Sequence, residues 1–107
     1  METKKRKIRS DRTHVLYVMT CVATGLEYVG LTVQRGTVNR SLQIRLTQHL
    51  HRAWVEESDR VLSKALRANA AWTIDPIMTV RGKLEAHKME VAIIDGMTPE
   101  LNMLKKA

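Results

Sequence analysis

The stretch HVLYVMTCVATGLEYVG, residues 14–30, holds both tyrosines of a chain that has two, Tyr17 and Tyr28, and no phenylalanine. Val15 to Cys21 is rich in β-branched and aromatic residues, and Leu26 to Thr32 is strand-like again. Ala23-Thr24-Gly25 between them is a turn signal, so the segment predicts a β-hairpin. With so short a turn, the two arms bring both phenols to one region of the sheet. Gly30 follows Tyr28 closely, and a missing side chain there permits close approach of a ligand backbone. Two strand tyrosines are by themselves ordinary core residues with a wet hydroxyl. The rest of the chain decides whether they are packing or chemistry.

Beyond the hairpin, Gln34 to Val38 reads as a loop containing Gly36. From Arg40 the period becomes helical, with Leu42, Leu46, Leu50 and Trp54 in series and Asn39 or Ser41 as cap. Ser58 caps a second helix whose apolar face is Val61, Leu62, Ala65 and Leu66. Trp72, Ile74, Met78 and Val80 alternate as in a third strand. Pro76 donates nothing to a ladder, so this strand is an edge or carries a bulge. Arg81-Gly82 turns the chain into a long helix, Leu84 to Asp95, that stops at Gly96. Thr98 then caps a final turn with Pro99 at its first position. The order β-β-α-α-β-α predicts an α+β fold, a small three-stranded antiparallel sheet flanked by helices.

A chain of 107 residues fits one domain with a modest core. No apolar run reaches the ~20 residues of a membrane helix. The charged N-terminus, with no apolar region behind it, predicts an intracellular, cytoplasmic protein with no membrane partner. Cys21, the single cysteine, has no internal disulfide partner and no zinc-ligand neighbours. The net charge is +7, of which residues 1–13 carry +4, from Lys4, Lys5, Arg6, Lys7, Arg9 and Arg12 against Glu2 and Asp11. The chain therefore divides into a basic arm, 1–13, and a mildly basic body, 14–107. Such an arm suits a polyanion, because each phosphate it neutralises releases counterions.

Arg45, His49 and Arg52 stand at i, i+4 and i+7 and share one helix face, where a guanidinium is a planar fork for phosphate oxygens. Glu90 lies among Met89, Val91, Ala92, Ile93 and Ile94. A carboxylate in so apolar a setting is costly unless paired or bound to a cation. No second acid stands near it at helical ligand spacing, which leaves one Mg²⁺ held by one carboxylate, waters and a substrate phosphate. Trp54 and Trp72 read as core, and His14, His51 and His87 as surface residues.

In order and spacing, these pieces resemble the GIY-YIG nuclease family. Val15-Leu16-Tyr17 stands where the family has Gly-Ile-Tyr, and Tyr28-Val29-Gly30 where it has Tyr-Ile-Gly. Arg45 falls at the family's helix arginine, His49 at the His or Tyr one turn on, Glu90 at its metal-binding glutamate and Asn102 at its closing asparagine. The likeness spans residues 14 to 104. Val15 replaces the first glycine, Leu31 stands where some branches carry a lysine, and no separate DNA-recognition domain follows.

What the resemblance implies is a DNA endonuclease that hydrolyses phosphodiester bonds with a single Mg²⁺ or Mn²⁺ on Glu90. Tyr17, Tyr28, Arg45, His49 and Glu90 would be its catalytic residues, with Gly30, Arg52, Asn102 and the arm residues Lys4, Lys5, Arg6 and Lys7 on the substrate side. Tyr17 is the expected base and His49 its orienter or relay, with the two roles exchangeable. A free tyrosine, with a pKa of about 10, is ionised in about one molecule in a thousand at neutral pH. Mg²⁺ and Arg45 would have to lower that value. A double-strand break needs a homodimer or two visits, and a partner protein is one source of specificity. The alternatives are an inactive nucleic-acid-binding module on the same scaffold and an interaction domain whose charge serves solubility.

Overall fold

A computed structural model describes residues 12–103. Residues 1–11 and 104–107, and with them nearly all of the basic arm and the expected substrate-side residues Lys4, Lys5, Arg6 and Lys7, lie outside the described residues.

The hairpin forms as expected. Strand β1, Thr13–Cys21, pairs antiparallel with β2, Glu27–Val33. Gly25 closes the turn with a positive φ of 77°, its N–H donating to the Cys21 carbonyl. Strand β3, Trp72–Arg81, pairs antiparallel with the other side of β1, giving the order β2-β1-β3. The architecture is the expected α+β one, an open three-stranded antiparallel sheet with helices.

Both possibilities raised by Pro76 are realised, since β3 is an edge strand and carries a register shift at this point. Tyr17 pairs with Pro76 while Leu16 pairs with Met78, which leaves Ile77 as the extra residue. The bulge splits the expected alternating series. Trp72 and Ile74 share the face of Tyr17 and Met19, whereas Met78 and Val80 pair with Leu16 and His14 on the opposite face.

Helix α1 runs Val38–Trp54, and its cap is Thr37, whose side chain accepts from Arg40 N–H at 3.1 Å. Asn39 and Ser41 are not the cap. Ser41 is buried instead and holds the preceding loop, its Oγ accepting from Arg35 N–H at 2.6 Å and donating to the Thr37 carbonyl at 2.9 Å. The buried stripe of α1 also differs from the expected one. Each four-residue step drifts about 40° around a helix of 3.6 residues per turn. A series of such steps from Leu42 therefore leaves the core, and Trp54 ends 58% exposed. The stripe that stays inside is Leu42, Leu46, His49 and Ala53.

Helix α2, Val61–Ala68, starts later than expected, with Arg60 at the N-cap position and Ser58 bonded to Arg60 N–H. Its face of Val61, Leu62, Ala65 and Leu66 packs on Val15, Tyr17, Met19 and Leu42, with Leu101 and the partly buried Tyr28, Trp72 and Ile74 completing the core. His14 is buried rather than exposed, its Nδ1 lying 2.9 Å from the Arg12 carbonyl.

Helix α3, Lys83–Met97, passes through Gly96 and ends at Thr98, which adopts the left-handed conformation. The short α4, Glu100–Met103, follows Pro99. The apolar run of α3 is mostly outside, with Ala86 buried but Leu84 and Val91 65% and 66% exposed. A continuous apolar run on a helix faces every direction, and only one stripe can meet the sheet. Among the described residues, no helix is long and apolar enough to cross a membrane.

Candidate active site

The register places Tyr17 opposite Gly30 and Tyr28 opposite Met19, so the two tyrosines sit diagonally on the same face of the sheet. Gly30 has a different use from the expected one. A Cβ built there would collide with the hydroxyl and Cζ of Tyr17. The gap it leaves is filled by the protein's own phenol, not by a ligand backbone.

That phenol is where three segments meet. Arg45 Nε donates to the Tyr17 oxygen at 3.2 Å, and His49 Nε2 lies 2.8 Å from it. Arginine has no acceptor, so the Tyr17 hydroxyl proton is free to point at His49. His49 Nε2 is then the bare nitrogen of a neutral ring. The same ring meets Tyr17 and Tyr28 edge-on, at centroid distances of 6.2 and 5.8 Å. Arg45 is held further by Gln48, whose Oε1 accepts from Nη1 at 3.0 Å.

The proton affinities of these groups move away from neutrality. Burial lifts the Tyr17 phenol to about 12, against the opposing pull of Arg45. Burial raises Tyr28 as well. His49 is pushed down to about 3, first by burial and then by the positive charges of Arg45, Arg52 and Arg60. In the protein alone, losing solvation outweighs the Arg45 guanidinium, so Arg45 without the Mg²⁺ expected beside it does not bring Tyr17 toward neutrality.

Glu90 is half-buried while Met89 and Val91 on either side are exposed. Its carboxylate is close enough to act electrostatically on both phenols. It pairs with His87, with Oε1 3.4 Å from Nδ1. Among the described residues no group of three His, Cys, Asp or Glu side chains could form a metal cage. A single inward carboxylate offers hard oxygen donors, which fits a divalent cation that keeps most of its waters.

Asn102 is bound to the scaffold. Its Oδ1 accepts from Val29 N–H at 2.7 Å and its Nδ2 donates to the Val29 carbonyl at 2.9 Å. It therefore positions the strand carrying Tyr28 and Gly30, and both ends of its amide are used in doing so.

Tyr28, Arg45, His49, Arg52 and Arg60 line a cavity of about 270 Å³ beside the phenols. Arg60 was not anticipated. It lies after the acidic run 56–59, beyond the reach of the helix-face spacing that relates Arg45, His49 and Arg52. Arg45, Arg52 and Arg60 make no ion pair with a carboxylate among the described residues. No family profile matches the chain, and no curated protein or solved structure gives a significant match.

Proposed function

We propose that the protein is a metal-dependent DNA endonuclease of the GIY-YIG type, hydrolysing phosphodiester bonds at the Tyr17 cluster. The observation that carries this reading is the convergence on one phenol oxygen. A guanidinium and an imidazole from α1 are bonded to the fully buried Tyr17 and themselves line a cavity walled by three arginines, with the Glu90 carboxylate acting on the same phenol. A core tyrosine needs one hydroxyl partner and no such surroundings.

The scissile phosphate occupies the cavity against Arg45, whose guanidinium neutralises charge growing on the non-bridging oxygens. Glu90 would hold a Mg²⁺ or Mn²⁺ ion, which when bound stabilises charge on the phosphoryl and leaving oxygens. Tyr28 donates its hydroxyl to the phosphate. Tyr17 takes the proton of the attacking water as its own proton passes to His49 Nε2, a step that requires water to be admitted to a phenol with no exposed surface in the free protein. The water oxygen forms the new bond to phosphorus, and the bond to the departing sugar oxygen breaks.

The proton transfer is costly in the free protein. Tyr17 is raised to about 12 and His49 lowered to about 3, so both shifts oppose passing a proton through the phenol to the imidazole. A bound phosphate reduces that cost. Its negative charge offsets Arg45, Arg52 and Arg60, the cations that depress His49, so an imidazolium becomes easier to form.

The test is incubation of supercoiled DNA with the protein in Mg²⁺, in EDTA, and with Glu90→Ala. Nicking that needs the metal and is lost in the variant, while DNA binding persists, supports the reading. A variant that cuts as fast as the parent overturns the site. Binding without cutting by the parent in any divalent metal leaves the inactive binding module.

A further inference from the structure

The cavity at the phenols belongs to a series of neighbouring cavities that share wall residues. A second, of about 280 Å³, shares Arg45 with it and extends along β2 and α1 to Arg35. A third, the largest at about 580 Å³ and remote from the phenols, shares Val33 and Arg35 with the second and reaches Arg12, where the basic arm begins. Among the described residues, no carboxylate lines any of the three. An arginine stands at each junction and at each end.

A branch also leaves Arg45 in another direction, toward Thr47, His51 and Glu56. Glu56 places its carboxylate there, 3.2 Å from His51 Nδ1. Arg52 borders both cavities, so a phosphate entering that branch meets Arg52 together with the like charge of Glu56, whereas one entering the phenol cavity meets Arg52 and Arg60. The electrostatics therefore favour one path, from Arg12 through Arg35 and Arg45 to Arg60.

The two flanking arginines are mounted on fixed backbone. Arg35 N–H is bonded to the buried Ser41 Oγ. The loop bearing Arg60 is tied by Arg67, whose Nη1 donates to the carbonyls of Ala53 and Ser58, both at 2.8 Å. Both flanking side chains are exposed, so neither is needed to fill the core.

We infer that this series of cavities is the path of a single nucleic-acid strand, with Arg35 holding a phosphate on one side of the scissile one and Arg60 a phosphate on the other. The inference rests on the nuclease reading and adds its substrate-binding residues. Arg35 and Arg60 position the strand and leave the reacting atoms to Arg45 and Tyr17.

The experiment compares Arg35→Ala, Arg60→Ala and the charge reversal Arg60→Glu with the parent and with Lys88→Ala, an exposed cation outside the cavities. Nicking of supercoiled DNA gives kcat and KM, and a labelled mixed-sequence duplex gives Kd across salt concentrations. Each of the two Arg→Ala changes is expected to weaken binding about eightfold at 0.1 M salt and to lower the log–log salt slope by about 0.9, the counterion release of one phosphate contact. KM rises accordingly, and kcat stays near the parent value in Arg35→Ala; Arg60 also acts on His49, so its variants are judged on binding and salt slope, with Arg60→Glu weakening binding further and Lys88→Ala having little effect. Parental slopes in the Arg35 and Arg60 variants, or an equal loss in Lys88→Ala, overturn the strand path while leaving the nuclease reading intact provided the parent nicks DNA. A parent that neither binds nor nicks DNA overturns both.

Discussion

Tyr17 and His49, 32 residues apart in the chain, are joined by a buried 2.8 Å hydrogen bond between the phenol oxygen and Nε2. The bond unites the central strand with the first helix at the point where Arg45 also reaches the phenol. A neutral phenol and a neutral imidazole form it with no buried charge, which suits a pair so far from solvent.

The protein should lose stability on mild acidification because of His49. Its proton affinity is lowered from 6.5 to about 3 in the folded state. The unfolded chain therefore takes up a proton as pH falls below 6.5 and the folded one does not, so stability is full above that value and declines beneath it. Between pH 8 and pH 5 the loss should be about 2 kcal/mol. Denaturant unfolding at the two pH values measures it, and His49→Gln should remove this component. An equal pH dependence in parent and variant would assign the loss to other groups.

Ultraviolet titration reads the tyrosines directly, because the chain has only two. Tyr17 is raised to about 12 and Tyr28 is raised in the same direction. At pH 10, where a free phenol is about half ionised, the folded protein should show well under one phenolate per chain. Unfolding in denaturant at that pH should bring the signal up. A full phenolate in the folded protein at pH 10 would contradict the burial of the pair.

Gly30→Ala should destabilise the fold by about 1–3 kcal/mol, the usual cost of overpacking. The added methyl meets the Tyr17 ring and hydroxyl, so it also moves the phenol away from His49. Combining it with Tyr17→Leu should cost less than the sum of the two single changes, since the obstacle is gone. Additive losses in a double-mutant cycle would show that the clash is relieved elsewhere.

Asn102→Ala strips two partners from the Val29 backbone and should cost about 1–3 kcal/mol. Asn102→Asp keeps an acceptor for the N–H but sets a carboxylate against the Val29 carbonyl, so it should recover little. Unfolding curves measure both. If DNA is nicked, the loss should appear in kcat as Tyr28 and the phenol face lose register, with binding by the arginines largely kept.

The hairpin, the third strand and the α1 face were legible because each depends on local periodicity and turn chemistry. Pro76 even marked the bulge, since a residue without an N–H has few places in a ladder. What was illegible depended on depth. Nothing local distinguishes Leu50 and Trp54, which drift off the buried face, from Leu46, which stays on it. The α3 run looked interior from composition, yet Glu90 faces inward while Val91 faces out. Tyr17 and His49 were read as neighbours and do meet, but the direction of their proton affinities needed burial to be known. Arg35 and Arg60 lie in loops, where no period signals a shared surface, and only the folded arrangement of β2, α1 and α2 relates them.

Asn102 has a bearing on how the molecule meets its own copies. By taking the N–H and C=O of Val29, it acts as a one-residue substitute for a neighbouring strand, and Glu100 takes the Glu27 N–H nearby at 3.0 Å. That side of the sheet cannot template another chain at these positions. Growth of an endless head-to-tail ribbon needs two adhesive borders, and here one is partly occupied. Self-recognition through backbone ladders is thereby steered toward β3, and a pair joined through β3 on both molecules is closed.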